Sequence, residues 1–204
     1  MNETVRFTPV KSARYRVSAK AAVLIALSGL MLALGACQST RTQSDRMESK
    51  YSLKKRKSYI SRIHPDGPEK CPLPVRVKER AYREMLSLID ASDATPYRYG
   101  GSTPDGFDCS GFVQYLYSIS FQMLMPRTSA DLALLGTIVP RRDLQRGDLI
   151  FFSLNGSRVD HVGIFLGDDR FAHASTSRGV AIGSLRKPWY ETRFAFGTRI
   201  IRIE

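Results

Sequence analysis

One cysteine and two histidines hold most of the chemical potential of this chain. Cys109 follows the Gly/Pro-rich stretch 97–106 and Asp108, and it precedes the apolar, aromatic run 112–117. Asp108 is a good N-cap, which places Cys109 in the first turn of a helix. There the positive end of the helix dipole and unpaired backbone N–H groups favour thiolate over thiol. His161 and His173 flank Gly167-Asp168-Asp169. A hairpin centred on Gly167 pairs the two directly, with Cβ atoms about 4.5–5.5 Å apart on one face of a sheet. The corresponding chemistry is attack of a thiolate on a carbonyl carbon. His161 would take the thiol proton and return it to the leaving amine. His173, bonded to the other ring nitrogen of His161, would fix its tautomer and orientation. The same cysteine and histidines could instead be three zinc ligands with an open fourth position. Spacing alone leaves both readings open.

The elements that must position these groups follow from periodicity. Residues 75–92 read as a helix with the apolar stripe Ala81, Met85, Leu88 and Ile89. In the cysteine helix, Phe112, Val113, Leu116 and Ile119 share a face. Residues 125–129 break that helix, and Thr128 or Ser129 caps a short one through Leu132 and Leu135. Beyond the turn Arg146-Gly147-Asp148 the period becomes strand-like. The expected strands are 149–153, 160–166, 170–174, 179–183 and 198–203. Gly163, on the expected histidine face, leaves room for the cysteine helix. Helices first and strands second indicate an α+β fold, N-terminal helices packed on a C-terminal antiparallel sheet. About 130 residues suffice for one core.

The whole chain has 204 residues, 31 Lys and Arg against 19 Asp and Glu, and a formal charge of +12. The length suits one domain with appendages. Such a balance points to nucleic acid, anionic lipid or an acidic polymer, and the N-terminus chooses among them. Arg6, Lys11, Arg14, Arg16 and Lys20 precede an apolar run over 21–34 that is short for a membrane span. This is the pattern of a secretory signal over residues 1–36, and export argues against nucleic acid. Leu34-Gly35-Ala36-Cys37 resembles the lipobox of bacterial lipoproteins, which implies cleavage before Cys37 and its lipidation. A plain signal peptide or an anchor helix is the alternative. Gln38 in place of Asp after that cysteine favours an outer-membrane, periplasm-facing location by analogy with lipoprotein sorting. Residues 37–74 read as a flexible basic tether, with a short helix near 45–60. Its densest run is Lys54-Lys55-Arg56-Lys57, suited to anionic headgroups or acidic wall polymer. Cys71 is expected to be unpaired; the alternative, a Cys71–Cys109 disulfide, would block the thiol.

Residues 95–202 closely resemble the NlpC/P60 family of cell-wall cysteine peptidases. The resemblance lies in Pro96-Tyr97-Arg98-Tyr99-Gly100-Gly101, Asp108-Cys109-Ser110-Gly111-Phe112, Pro126-Arg127, Arg146-Gly147-Asp148-Leu149, His161-Val162-Gly163-Ile164 and Phe171-Ala172-His173-Ala174. It implies a papain-like α+β catalytic domain over 75–204. It also implies a Cys-His-His triad with Cys109 as nucleophile, His161 as proton acceptor and His173 as orienting residue. Tyr97 becomes a contributor to oxyanion stabilisation, with the Cys109 N–H as second donor; the alternative for Tyr97 is packing. Asp108 and Ser110 could touch a substrate amine or carboxylate, although capping already explains them. Arg127 could grip a peptide carboxylate or pair with a local acid. The implied substrate is the stem peptide of peptidoglycan. A monomer is expected, with no metal or other cofactor; Gly100-Gly101 lacks the strand–loop–helix context of a phosphate loop. An amidase or acyltransferase using the same thiol, or a non-catalytic wall-binding lipoprotein, are the alternatives.

Overall fold

The computed structural model describes residues 50–52 and 54–204. The expected leader, Cys37 and the first part of the expected tether lie outside the described residues.

Residues 50–52 are helical, and a docked hairpin follows where a flexible tether was expected. Strands β1 (Tyr59–His64) and β2 (Gly67–Pro72) pair antiparallel, from Tyr59↔Pro72 to His64↔Gly67. Arg56 donates to the carbonyls of Gly136 and Leu135 at 2.8 and 2.9 Å. The Ile63 N–H reaches the Gln122 carbonyl at 2.8 Å, and the Leu124 N–H reaches the Ser61 carbonyl at 2.9 Å. Pro65 sits in the turn, and Pro68 and Pro72 sit on a two-stranded ribbon, places that tolerate a missing N–H. Ile60 is buried and anchors the ribbon. Cys71, on β2, is a free thiol, as is Cys109, so the blocking disulfide is not formed.

Strand β3 (Val75–Val77) replaces the first turn of the expected helix and pairs parallel with the C-terminal strand. Val75 and Val77 are buried and Arg76 is exposed, a period of two in β-branched residues. Helix α1 (Glu79–Ala91) follows and buries Tyr82, Met85 and Ile89. A minimal ribbon, β4 (Ser102–Thr103) and β5 (Gly106–Phe107), leads into helix α2 (Cys109–Phe121). Asp108 caps α2 by accepting the Gly111 N–H at 2.7 Å. Phe112, Val113 and Leu116 are buried as expected, but Ile119 is 48% exposed. The Thr128 side chain caps the single turn α3 (Ser129–Leu132).

The remaining elements are β6 (Thr137–Val139), β7 (Leu149–Phe152), β8 (His161–Gly167), β9 (Arg170–Ser175), β10 (Gly179–Ser184), the turn of helix α4 (Pro188–Glu191), β11 (Phe194–Arg199) and β12 (Ile201–Ile203). Six of the strands form one antiparallel sheet in the order β10-β9-β8-β7-β11-β6. The expected single strand over 198–203 is two: β11 belongs to the sheet and β12 leaves it to pair with β3. The molecule is α+β, as the order of elements predicted.

Two apolar clusters hold the sheet. Phe112, Val113 and Leu116 of α2 share a core with Val162, Ile164, Ala172 and Ala174. Ile150, Phe152, Phe165, Phe171, Leu185 and Phe194 form the second. Helix α2 therefore packs on the face carrying Val162 and Ile164, opposite to the expected one. Two polar ties fix the turn before β7. The Tyr117 hydroxyl donates to the Gly147 carbonyl at 2.6 Å, and the fully buried Asp148 takes a two-pronged bond from Arg199 at 3.0 and 2.8 Å. Such a buried carboxylate is tolerable only when its charge is paired and bonded in this way.

Candidate active site

The two histidines lie on one face of the β8–β9 hairpin, but not directly opposite each other. The observed pairs are Ile164↔Ala172, Phe165↔Phe171 and Gly167↔Arg170, with a bulge between Phe165 and Gly167. Carried on, that register puts Gly163, not His161, opposite His173. The turn is the cause. Asp168 and Asp169 both have positive φ, 52° and 58°, the signature of a two-residue turn matched to the twist of the strands. The turn is thus centred beyond Gly167. His161 and His173 become diagonal neighbours, still within reach for long side chains. The rings meet: His161 Nε2 lies 2.8 Å from His173 Nδ1. Gly163 serves the histidine face rather than the helix. A Cβ there would lie 2.9 Å from the Phe171 ring and 2.9 Å from the Ala172 carbonyl oxygen.

Cys109 meets the beginning of β8 at the residues on either side of His161. Its sulfur lies 4.0 Å from the Asp160 carbonyl oxygen, and the N–H groups of Val162, Ser110 and Cys109 face it. Nε2 of His161 is engaged by His173, so Nδ1 is the ring nitrogen left for the thiol. The thiol, both imidazoles and Tyr97 line one hollow of about 420 Å³ together with Leu154, Ser175, Trp189 and Tyr190. A second hollow of about 370 Å³ also borders Cys109, against Tyr99, Ser110, Arg127 and Ser129. Tyr97, half-buried, borders both. Its phenol is pushed up first by burial and then by the Cys109 and Asp108 charges.

Electrostatics correct the expectation of a resting thiolate. Cys109 is only 8% exposed, and burial pushes its thiol up. The Val162 N–H opposes this, but the neighbouring Asp108 carboxylate adds to it. The charge of the helix's own cap thus works against its dipole. Burial lowers His161 to about 4, opposed by Asp160. Burial, the His161 charge, Arg178 and Lys187 lower His173 to about 3. At neutral pH the cleft therefore holds a thiol and two neutral imidazoles.

Arg127 takes the local acid of its two expected partners. Its guanidinium grips Asp108 with both prongs, at 2.9 and 2.6 Å, and also donates to the Ser110 hydroxyl at 3.0 Å. Asp108 accepts as well from Ser110 at 3.2 Å and from the Gly100 N–H at 3.0 Å. Burial raises this carboxyl, but the Arg127 fork and the Gly111 and Gly100 N–H groups outweigh it and hold the group below its ordinary range. Asp108, Ser110 and Arg127 are thus a closed network that ties the 97–101 loop to the start of α2, with the Asp108 oxygens already engaged.

The zinc alternative requires the lone pairs of both imidazoles to converge on one point. Instead a nitrogen of each is directed at the other at hydrogen-bond distance. Among the described residues, no group of three or more His, Cys, Asp or Glu is placed to hold a metal ion.

Two residues of the site had no separate signal in the sequence. Asp160 accepts the Leu154 and Asn155 N–H groups at 2.7 and 2.8 Å and so shapes one wall. Its place immediately before His161 was the available hint. Tyr190 faces His173 from α4 across 17 positions of chain, and no spacing rule reaches it.

Comparisons with known proteins agree with this architecture. Over 105 residues the chain is 43% identical to the Escherichia coli K12 protein named murein DD-endopeptidase MepS/murein LD-carboxypeptidase, covering 52% of this chain and 55% of that protein. The match thus spans about half the length of that relative. It is 30% identical over 181 residues to the probable endopeptidase YafL of the same organism, covering 77% of this chain and 72% of the relative. The structure of an NlpC/P60 family protein from Bacillus cereus superposes with a TM-score of 0.56 at 26% identity, over 74% of this chain and 53% of the other. Residues 94–199, more than half of the chain, match the NlpC/P60 family, and the protein belongs to that family.

Proposed function

We propose that this protein is a cysteine endopeptidase that hydrolyses amide bonds in the stem peptides of peptidoglycan and is lipid-anchored through Cys37 to the outer membrane, facing the periplasm. The observation that carries the catalytic reading is the 2.8 Å bond between His161 Nε2 and His173 Nδ1 in the cleft that also holds Cys109. The family and the murein endopeptidase names of the relatives support the substrate class. The lipobox-like Leu34-Gly35-Ala36-Cys37 supports the anchor.

In this mechanism the substrate carbonyl lies over Cys109. The sulfur attacks it as the thiol proton passes to His161 Nδ1. Charge develops on the carbonyl oxygen, where the Cys109 N–H and the Tyr97 hydroxyl donate to it. The protonated His161 is held by His173 and gives its proton to the leaving amine, leaving a thioester. Water then adds to the thioester while His161 takes a water proton and returns it to the sulfur, releasing the acid and the thiol. A neutral thiol–imidazole pair suits this sequence, because the proton moves as the new bond forms. Membrane tethering raises the local concentration of enzyme at the wall.

Purified peptidoglycan digested with the full-length protein and with Cys109→Ser, followed by mass analysis of the fragments, tests the reading. Cleavage products from the wild type alone are expected, and their masses identify the bond. Equal digestion by both proteins removes Cys109 as nucleophile. Untouched wall with both transfers the protein to wall binding or to another amide or ester. Mass analysis of the mature N-terminal peptide is expected to find Cys37 acylated; an unmodified Cys37 refutes the anchor.

A further inference from the structure

The polar chain from the thiol does not end at His173. The Tyr190 hydroxyl oxygen lies 3.4 Å from His173 Nε2. The tyrosine ring stands edge-on to His173, at 5.5 Å between centroids and 89° between planes. Phe171 holds that ring at 5.0 Å and Phe152 at 5.5 Å, both also edge-on. Phe152 and Phe171 in turn pack on His161 and His173, at 5.8 and 4.8 Å. Tyr190 is therefore built into the aromatic wall that carries both imidazoles.

We propose that Tyr190 is a positioning residue of the cleft, whose hydroxyl oxygen accepts the Nε2–H of His173 and thereby fixes the tautomers of both histidines. The inference rests on the reading of Cys109 as nucleophile and His161 as its base. It follows from counting protons along the chain of ring nitrogens. His161 can take the thiol proton only if Nδ1 is bare, so its own proton sits on Nε2. That N–H donates to His173 Nδ1, which must also be bare. The His173 proton is then on Nε2, where the acceptor within reach is Tyr190. In the reversed arrangement His173 donates from Nδ1, His161 carries its proton on Nδ1, and the base is lost. An acceptor at His173 Nε2 selects the first arrangement. An imidazole orienting another imidazole needs such an acceptor because, unlike a carboxylate, it has two nitrogens that can exchange roles.

Tyr190→Phe keeps the ring and its contacts with Phe152 and Phe171 and removes only the oxygen. The protein contains three histidines, of which His64 lies exposed on the β1–β2 hairpin, so imidazole nitrogen NMR of the full chain can be assigned with single variants. In the wild type, His173 is expected to show one tautomer, protonated on Nε2. In Tyr190→Phe its nitrogen signals are expected to move toward the average of two tautomers. On peptidoglycan, kcat is expected to fall roughly fivefold with KM unchanged, the scale of one neutral hydrogen bond. In a His173→Ala background the same substitution is expected to change nothing further, because its route is gone. A single unchanged His173 tautomer in Tyr190→Phe overturns the proposal, as does a fivefold loss that persists without His173. If the wild type cleaves no wall, the hydrolase reading fails, and the NMR comparison still decides the role of Tyr190.

Discussion

Acid should unfold this domain through its own histidine pair. His161 and His173 are 7% and 3% exposed and are lowered to about 4 and about 3 from the ordinary 6.5. Both values are depressed, so the unfolded chain binds protons that the folded one refuses. The stabilisation from keeping the rings neutral is complete above pH 6.5 and is lost as pH falls toward 4 and 3. The groups that face them are Asp160 on the favourable side for charge, and Arg178 and Lys187 on the unfavourable side. At pH 5 the unfolded state holds nearly two more protons than the native state, a slope of roughly 2–3 kcal/mol per pH unit. Between pH 7 and pH 4.5 the two rings together remove roughly 5 kcal/mol, comparable with the whole stability of many domains. The assay is urea unfolding followed by circular dichroism at half-unit steps from pH 7 to 4.5, above the range where most carboxylates titrate. A His161→Gln, His173→Gln variant should lose most of the slope while retaining hydrogen-bonding side chains. A wild-type slope worth less than one proton, or an unchanged slope in the double variant, would refute the reasoning.

The Asp108 network makes two further predictions. Arg127→Leu should lower stability by about 1–2 kcal/mol, a value held down by the 38% exposure of the Arg127 side chain against 11% for Asp108. Asp108→Asn should add much less in that background than alone; additive losses in urea unfolding would show that the two do not act as a pair. Gly111→Ala would drive its Cβ into the Gly101 carbonyl oxygen and to 3.1 Å from Asp108 Oδ1. It should cost about 2–3 kcal/mol and displace the 97–101 loop, with Tyr97, from the cleft. A variant with wild-type thermal stability and full wall digestion would contradict that close approach.

Local pattern determined a good deal of this protein by itself. The Asp108 cap, the start of α2 at Cys109, the buried strand expected over 149–153 and the order of the two long helices before the six-stranded sheet could each be read without a structure. Each depends on neighbours a few positions away, and capping and periodicity report such neighbours directly. The 59–72 hairpin is not legible in the sequence, because prolines and basic residues suggest a linker when the surface that receives them, the carbonyls around Gln122 and Leu135, is distant along the chain. The β8–β9 register turns on which residues take positive φ, so the two-residue shift leaves no mark on the spacing, although the same two rings still meet. The resting thiol, the closed Asp108–Arg127 pair and the Tyr190 contact were decided only by tertiary structure. They depend on how much water is excluded and on which charge ends beside which, quantities that the folded chain sums over all its elements.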